Sequence, residues 1–393
     1  MALTESRITD GTLTISMIGR VDSTNAAAFS AEAEQIISGG GFDSLILDAE
    51  KLDYISSAGL RVVLSLRKKF PTLRIIGVNP DVYEIFEMTG FTEMIQIEKA
   101  YRRLSVDGCE VIGRGANGEV YRLDPDTIIK VYLNSDALPD IQRERELARR
   151  AFVLGVPTAI PYDVVKVGDS YGSVFELLNS ESFAKILSHS PERFDEIMDM
   201  YVDLLLKIHS TKVLPEDMPD MREVALDWVD YLRDYLPADI WDRLHNLVEA
   251  VPVRHTMMHG DYHLKNVMLQ DGEALLIDMD TLCQGDPVFE FGSIFNAYIG
   301  FSALDHGQCQ KFMGIPYDLA VRVWHRTLTG YFGTDDPEIL RRAEERSQLV
   351  GFVRLMRRSI RRGGLTKEPE AVEYYKEQII RLVGSIESLS FDA

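Results

Sequence analysis

Three residues of a single stretch are of the types and spacing that phosphoryl chemistry requires: Asp261, Asn266 and Asp278. An apolar run through Met257 and Met258 enters the polar segment His259-Gly260-Asp261-Tyr262-His263-Leu264-Lys265-Asn266. The chain leaves as Val267-Met268-Leu269, turns at Asp271-Gly272 and returns as Leu275-Leu276-Ile277 into Asp278. That pattern is a β-hairpin with carboxylates at its ends. Folded so, the three side chains would meet at the mouth of one cleft. Two carboxylates and an amide provide hard oxygen donors for a magnesium ion on a nucleotide, and one carboxylate to orient an attacking hydroxyl. Such a reaction needs little covalent help, so positioning and charge neutralisation would carry its rate. Two isolated acidic turns are the bland alternative, so the rest of the chain has to provide the phosphate cradle and its cation.

Upstream, Gly113, Gly115 and Gly118 stand in G-x-G-x-x-G spacing. The motif lies between two strand-like runs, not between a strand and a helix, so a dinucleotide fold is the poorer match. A third strand, Ile128-Ile129-Lys130-Val131-Tyr132, carries one basic residue in an apolar run. A lone lysine there would ordinarily be a surface residue. Together with the glycine hairpin it resembles the small lobe of kinases, where glycines let the backbone close over ATP phosphates and a strand lysine holds them. Such a lysine needs a glutamate from the next helix. Glu146 fits the spacing to Gly155-Val156-Pro157 slightly better than Glu144. Ser173 to Leu178 then reads as the strand into the hinge, with adenine held by backbone groups near Glu176 to Leu178. From Ser182 onward helical patterns dominate. Phe194, Ile197, Met198, Tyr201, Leu204, Leu205 and Ile208 form one apolar stripe, with His209 as a packing residue at its end.

His259-Gly260-Asp261, Asn266 and Ile277-Asp278 together resemble the aminoglycoside phosphotransferase and choline kinase superfamily more than the protein kinases. The latter carry Arg at the Gly260 position and Phe-Gly where Met279-Asp280 stand, and their Ala-Pro-Glu segment has no counterpart. The resemblance spans roughly residues 105–320. It implies Asp261 as catalytic base, Asn266 and Asp278 as magnesium ligands, and ATP as donor. Gly113, Gly115, Gly118, Lys130, Glu146, Glu176 and Leu178 would then line the nucleotide site. The glycine loop looks more like that of protein kinases, which leaves the substrate class open. Glu290 stands where an aspartate is common and reads as structural.

In the first hundred residues strands alternate with helices, the pattern of a small α/β layer domain. Strands are expected near residues 13–18, 44–48 and 73–78, and helices over 26–37, from Ile55 through Phe70, and over 82–89. Asp53-Tyr54-Ile55-Ser56-Ser57-Ala58-Gly59-Leu60, with Asn79-Pro80 and Met88-Thr89-Gly90-Phe91 downstream, resembles the STAS family of anti-sigma factor antagonists. In that family a serine just before this helix is a phosphorylation switch. Alignment on Gly59-Leu60 places it at Ser57, with Ser56 where an aspartate is often found, so the register stays slightly open. A phosphate there would meet free backbone N–H groups and a favourable dipole. The alternative is a serine that only caps the helix.

Composition bounds these readings. The 393 residues carry a formal charge of −20, which argues against nucleic acid and anionic membrane as main partners. Three cysteines, Cys109, Cys283 and Cys309, suggest neither a disulfide framework nor a zinc site. No apolar run has the length of a membrane span, so a cytoplasmic protein is expected. Arg354, Arg357, Arg358 and Arg361 recur at helical spacing beside Arg362. They could bind a phosphorylated substrate, an acidic partner or the first domain, and read first as a solvated face compensated by nearby acids. The expected architecture is an α/β STAS domain (1–100) followed by an α+β bilobal protein-kinase-like domain (101–393). The latter would have a small lobe over 101–179 and a helical large lobe over 180–393. The expected activity is ATP-dependent, magnesium-assisted phosphorylation of a hydroxyl on a small molecule, with the first domain regulatory and meeting an anti-sigma-factor-like or kinase partner. The rivals are a protein serine kinase acting on Ser57 of its own chain, and a nucleotide-binding regulatory module without turnover.

Overall fold

The computed structural model describes residues 3–9, 11–114, 118–134 and 138–392. The chain forms two compact units, Met1–Ser105 with the short segment Val165–Asp169, and Val106–Val164 with Ser170–Ala393. Among the described residues no helix is long and apolar enough to cross a membrane.

The first unit is built on a five-stranded sheet. Its order is Thr4–Thr9, Thr12–Met17, Ser44–Asp48, Arg74–Val78, Gln96–Lys99, antiparallel at the first pair and parallel thereafter. The edge strand Thr4–Thr9 is polar and largely exposed, and for that reason has no hydrophobic signal in the sequence. Inner strands bury Leu13, Ile15, Met17, Leu45, Leu47, Ile75 and Val78 against helices Ala26–Ser38 and Ser57–Lys69. Ser56 caps the second of these, its hydroxyl accepting from Ala58 N. Gly59 has to be glycine, since a Cβ would lie 2.7 Å from Ile55 Cγ1 and 2.9 Å from Val21 O. Asn79 caps the helix Pro80–Met88 and also donates to Leu52 O.

In the second unit, strands Glu110–Arg114, Gly118–Arg122, Thr127–Tyr132 and Ser170–Glu176 follow one another across a sheet. Helix Leu138–Val153 packs against it through Ile141, Leu147, Ala148 and Ala151. The remainder is helical around one segment, Pro287–Tyr298, in which every residue from Val288 to Tyr298 is buried. Helix Pro337–Arg361 crosses it at a pair of glycines. A Cβ on Gly292 would lie 2.4 Å from Val350 Cγ1, and one on Gly351 would lie 2.6 Å from the Phe295 ring. The expected hairpin pairs Val267–Gln270 with Glu273–Leu276 across Asp271-Gly272. Both turn residues have positive φ, 51° and 85°, as a two-residue turn matched to strand twist requires.

Candidate active site

The segment His259–Asn266 is held mainly by backbone hydrogen bonds to buried side chains. Glu290, fully buried on the central helix, accepts from His259 N at 2.5 Å, Gly260 N at 3.0 Å and Tyr262 N at 3.4 Å. Burial opposes its charge, but His209, His259 and these amides hold its carboxyl below the ordinary value. Glu290 is thus the structural anchor its position suggested. His209 is more than packing: Nδ1 meets Tyr331 OH at 2.8 Å and Nε2 lies 3.8 Å from Glu290. Gly260 turns at φ +80°, and a Cβ there would lie 2.4 Å from Thr281 O. Asp261 N donates to His259 Nδ1, which places the ring proton on Nε2, donating to Ile277 O at 3.1 Å. Behind the loop the phenols of Tyr201, Tyr262 and Tyr298 bond one another or each other's backbone, and Tyr298 OH accepts from Leu264 N.

These constraints aim the polar side chains. The Asp261 carboxylate is 42% exposed and 3.5 Å from His263 Nε2. Burial would raise its pKa, but His263, Arg354 and His259 bring it well below the usual carboxylate range. Asn266 spends its amide nitrogen on Asp261 O at 3.0 Å, which leaves the oxygen end as the donor a cation could use. Its backbone carbonyl accepts from Ile277 N, tying the loop to the returning strand just before Asp278. Asp278 sits at φ +64°, a strained value for a residue other than glycine.

Lys130 joins the two lobes. Its ammonium is 2.9 Å from Glu144 Oε1 and 2.9 Å from Asp278 Oδ1. Burial would lower its pKa, yet these two carboxylates raise it above the ordinary lysine value. Glu144 also receives the Tyr132 hydroxyl. Here the structure corrects the choice of Glu146. That residue points outward to Arg149 and Arg150, each at 2.9 Å, whereas Glu144 lies on the inner face of the helix, 5% exposed. The two glutamates differ by half a helical turn, which spacing to a distant turn does not resolve.

A cleft of about 580 Å³ gathers Gly113, Gly118, Lys130, Glu144, Glu176, Leu178, Asn266 and Asp278 on its walls. Gly118 must be glycine, because a Cβ would lie 2.3 Å from Val131 O; Gly113 has room for one. Gly115 lies outside the described residues. Apolar groups, Ile112, Val120, Ala148, Phe175, Met268 and Ile277 among them, make the cleft a slot suited to a flat base above a polar floor. Magnesium keeps few protein ligands and shares the rest with phosphate and water, so an amide oxygen and a carboxylate on one wall fit it.

The arginine stripe is corrected as well. Arg354 turns inward, donating to Gly260 O at 3.0 Å and to Ser293 Oγ at 2.7 Å. Arg357 lies over the Tyr231 ring and Arg358 over Phe301. None of these partners was legible, since each is a backbone carbonyl, a hydroxyl or a ring far away in sequence. Ser57 lies exposed at the first position of its helix, beside the capping Ser56.

Comparison with known proteins shows the family and the fold. Residues 108–312 match the phosphotransferase enzyme family, and residues 4–104 match the STAS domain. The BtrV protein of Bordetella bronchiseptica, placed by its name among anti-sigma factor antagonists, is 39% identical over 102 residues; the match covers 25% of this chain and 85% of BtrV. Among solved structures, ADP-bound aminoglycoside phosphotransferase APH(2'')-Ib superposes with a TM-score of 0.50 at 15% identity, covering 76% of this chain and 98% of its own. A choline/ethanolamine kinase family protein from Mesorhizobium loti gives 0.46 at 16% identity, covering 71% and 89%. The chain belongs to the phosphotransferase enzyme family, with a STAS domain ahead of its kinase-like fold.

Proposed function

We propose that the protein is a cytoplasmic ATP-dependent phosphotransferase acting on a hydroxyl of a small molecule, with the STAS domain as a regulatory module. The observation that carries this reading is the Lys130 ammonium, placed between Glu144 and Asp278 on the wall of the cleft that Asn266 also lines. Lys130 would hold the phosphates of ATP, the strands carrying Gly113 and Gly118 would lie over them, and the base would lie toward Glu176 and Leu178. Asn266 and Asp278 would hold magnesium, whose chemistry is to neutralise charge between phosphates. The acceptor oxygen attacks the γ-phosphorus, the bond to the β-phosphate oxygen breaks, and ADP leaves with that electron pair. Asp261, already ionised, takes the hydroxyl proton. The fold shared with an ADP-bound phosphotransferase supports a nucleotide in the cleft.

A second reading, a protein serine kinase of a switching system, is favoured by one observation: Ser57 is exposed at a helix start in a domain similar to an anti-sigma factor antagonist. Incubation of the full chain with labelled ATP and magnesium separates the possibilities. Label in an added alcohol supports the first reading, and label on Ser57, lost in Ser57→Ala, supports the second. Nucleotide binding without transfer to either would leave a binding module and refute both.

A further inference from the structure

Helix Pro337–Arg361 treats the arginines of its two ends differently. Near its start, Arg341 is paired with Glu338 and Glu345, and Arg342 with Glu338. Toward its end, Arg354, Arg357, Arg358 and Arg361, with Arg362 just beyond, have no carboxylate within 4.0 Å among the described residues. In a chain of net charge −20 that is unexpected. A helix C-terminus favours cations only within its last turn, so Arg354 and Arg357 need another reason.

Their place in the fold provides one. Arg354 is bonded to the carbonyl of Gly260, one residue from Asp261. Arg358 lies 4.7 Å above the Phe301 ring, and Phe301 meets Phe312 edge to face at 5.7 Å. Phe312 carries the Lys265 ammonium at 5.4 Å and the His263 ring at 5.5 Å, and His263 reaches back to Asp261. Two rings flanked by two cations therefore form a surface continuous with the Asp261 carboxylate. Burial and then neighbouring arginines disfavour the charges of Arg357 and Arg358, against which Tyr231 and Asp227 act on Arg357, and Asp261 and Tyr375 on Arg358. A cluster in which cations outnumber the nearby carboxylates attracts an anion and repels a cation.

We propose that this surface seats the acceptor, and that the acceptor is an anionic alcohol, a small molecule bearing a carboxylate or phosphate besides its hydroxyl. The proposal rests on the phosphotransfer reading above. Arg358 is its specificity-determining residue, the Phe301 and Phe312 rings its floor, and Lys265 and Arg361 further cations at its rim.

The test titrates the full chain, saturated with magnesium and ADP, with D-glycerate, glycerol 3-phosphate, glycerol and choline by calorimetry. At least one anion should bind about tenfold or more tighter than glycerol and choline, the effect of one charge-assisted contact. The two anions distinguish carboxylate from phosphate. Arg358→Glu should abolish the preference and Arg358→Lys keep part of it. Anions that bind no better than glycerol, or an unaltered preference in Arg358→Glu, overturn the proposal. Turnover with ATP on the same alcohols separates its failure from that of the phosphotransfer reading. Anion binding without transfer to any alcohol keeps the anion site and removes the chemistry. Transfer to choline without anion preference removes the anion site and keeps the chemistry.

Discussion

Replacing Glu144 with alanine, beside the same change at Glu146, tests whether the lysine partner is the buried glutamate. Glu144 is 5% exposed and receives both the Lys130 ammonium at 2.9 Å and the Tyr132 hydroxyl. Hydrogen bonds to a charged group contribute about 1.5–3 kcal/mol each, so losing two would cost roughly 3–6 kcal/mol. Lys130 keeps Asp278 and is 19% exposed, which places the expected loss at the low end, about 3 kcal/mol. Glu146 is 39% exposed and its partner Arg149 55%, so its removal should cost about 1 kcal/mol at most. Urea unfolding followed by tryptophan fluorescence reads the relevant unit alone, because Trp228, Trp241 and Trp324 all lie in it. The KM for ATP should rise about tenfold in Glu144→Ala and stay near wild type in Glu146→Ala, if Lys130 is oriented for phosphate by this contact. Equal unfolding energies and equal KM values for the two variants would refute the reasoning.

Asp261→Asn should lower kcat by about 10²–10⁴-fold with ATP affinity little changed, measured by labelled-phosphate transfer and nucleotide titration. Glu290→Gln should loosen the His259–Asn266 loop and alter the acid limb of stability. The folded carboxyl lies below its usual 4.5, so the stability it contributes is complete above that pH and lost as pH falls through the lower folded value. The variant should therefore be less stable at pH 7, and the gap to wild type should close below about pH 4.5 in fluorescence-monitored unfolding. Gly292→Ala should cost about 1–3 kcal/mol by the same assay, because its methyl would meet Val350.

The site was legible where chemistry and local spacing coincide. Asn266 and Asp278 flank one hairpin whose turn is written as Asp271-Gly272, so their meeting on the cleft wall follows from local rules; Asp261, earlier on the same loop, is not on that wall. Lys130 stood out as a charge in an apolar strand. Its partner did not, because the choice between Glu144 and Glu146 depends on the rotation of a helix about its axis, which packing of Ile141, Leu147 and Ala151 decides. The arginines were visible but not their orientation: Arg354 finds a carbonyl, a group every residue has. In the first unit the apolar strands could be read from their alternation. The polar edge strand Thr4–Thr9 could not, since its pairing is a matter of backbone hydrogen bonds to Thr12–Met17.

The crossing at Gly292 and Gly351 has a consequence for control of the enzyme. Glycine at both positions leaves room for Val350 and Phe295 at the crossing, and Asn296 adds a bond to the Gly351 carbonyl at 3.0 Å. Glu290 rides on that fully buried helix, so shifting the loop it grips would mean repacking the core around it. Adjustment is less costly at the polar clasp between Lys130 and its two acids, where the Asp278 side chain is 46% exposed and water can replace a lost partner.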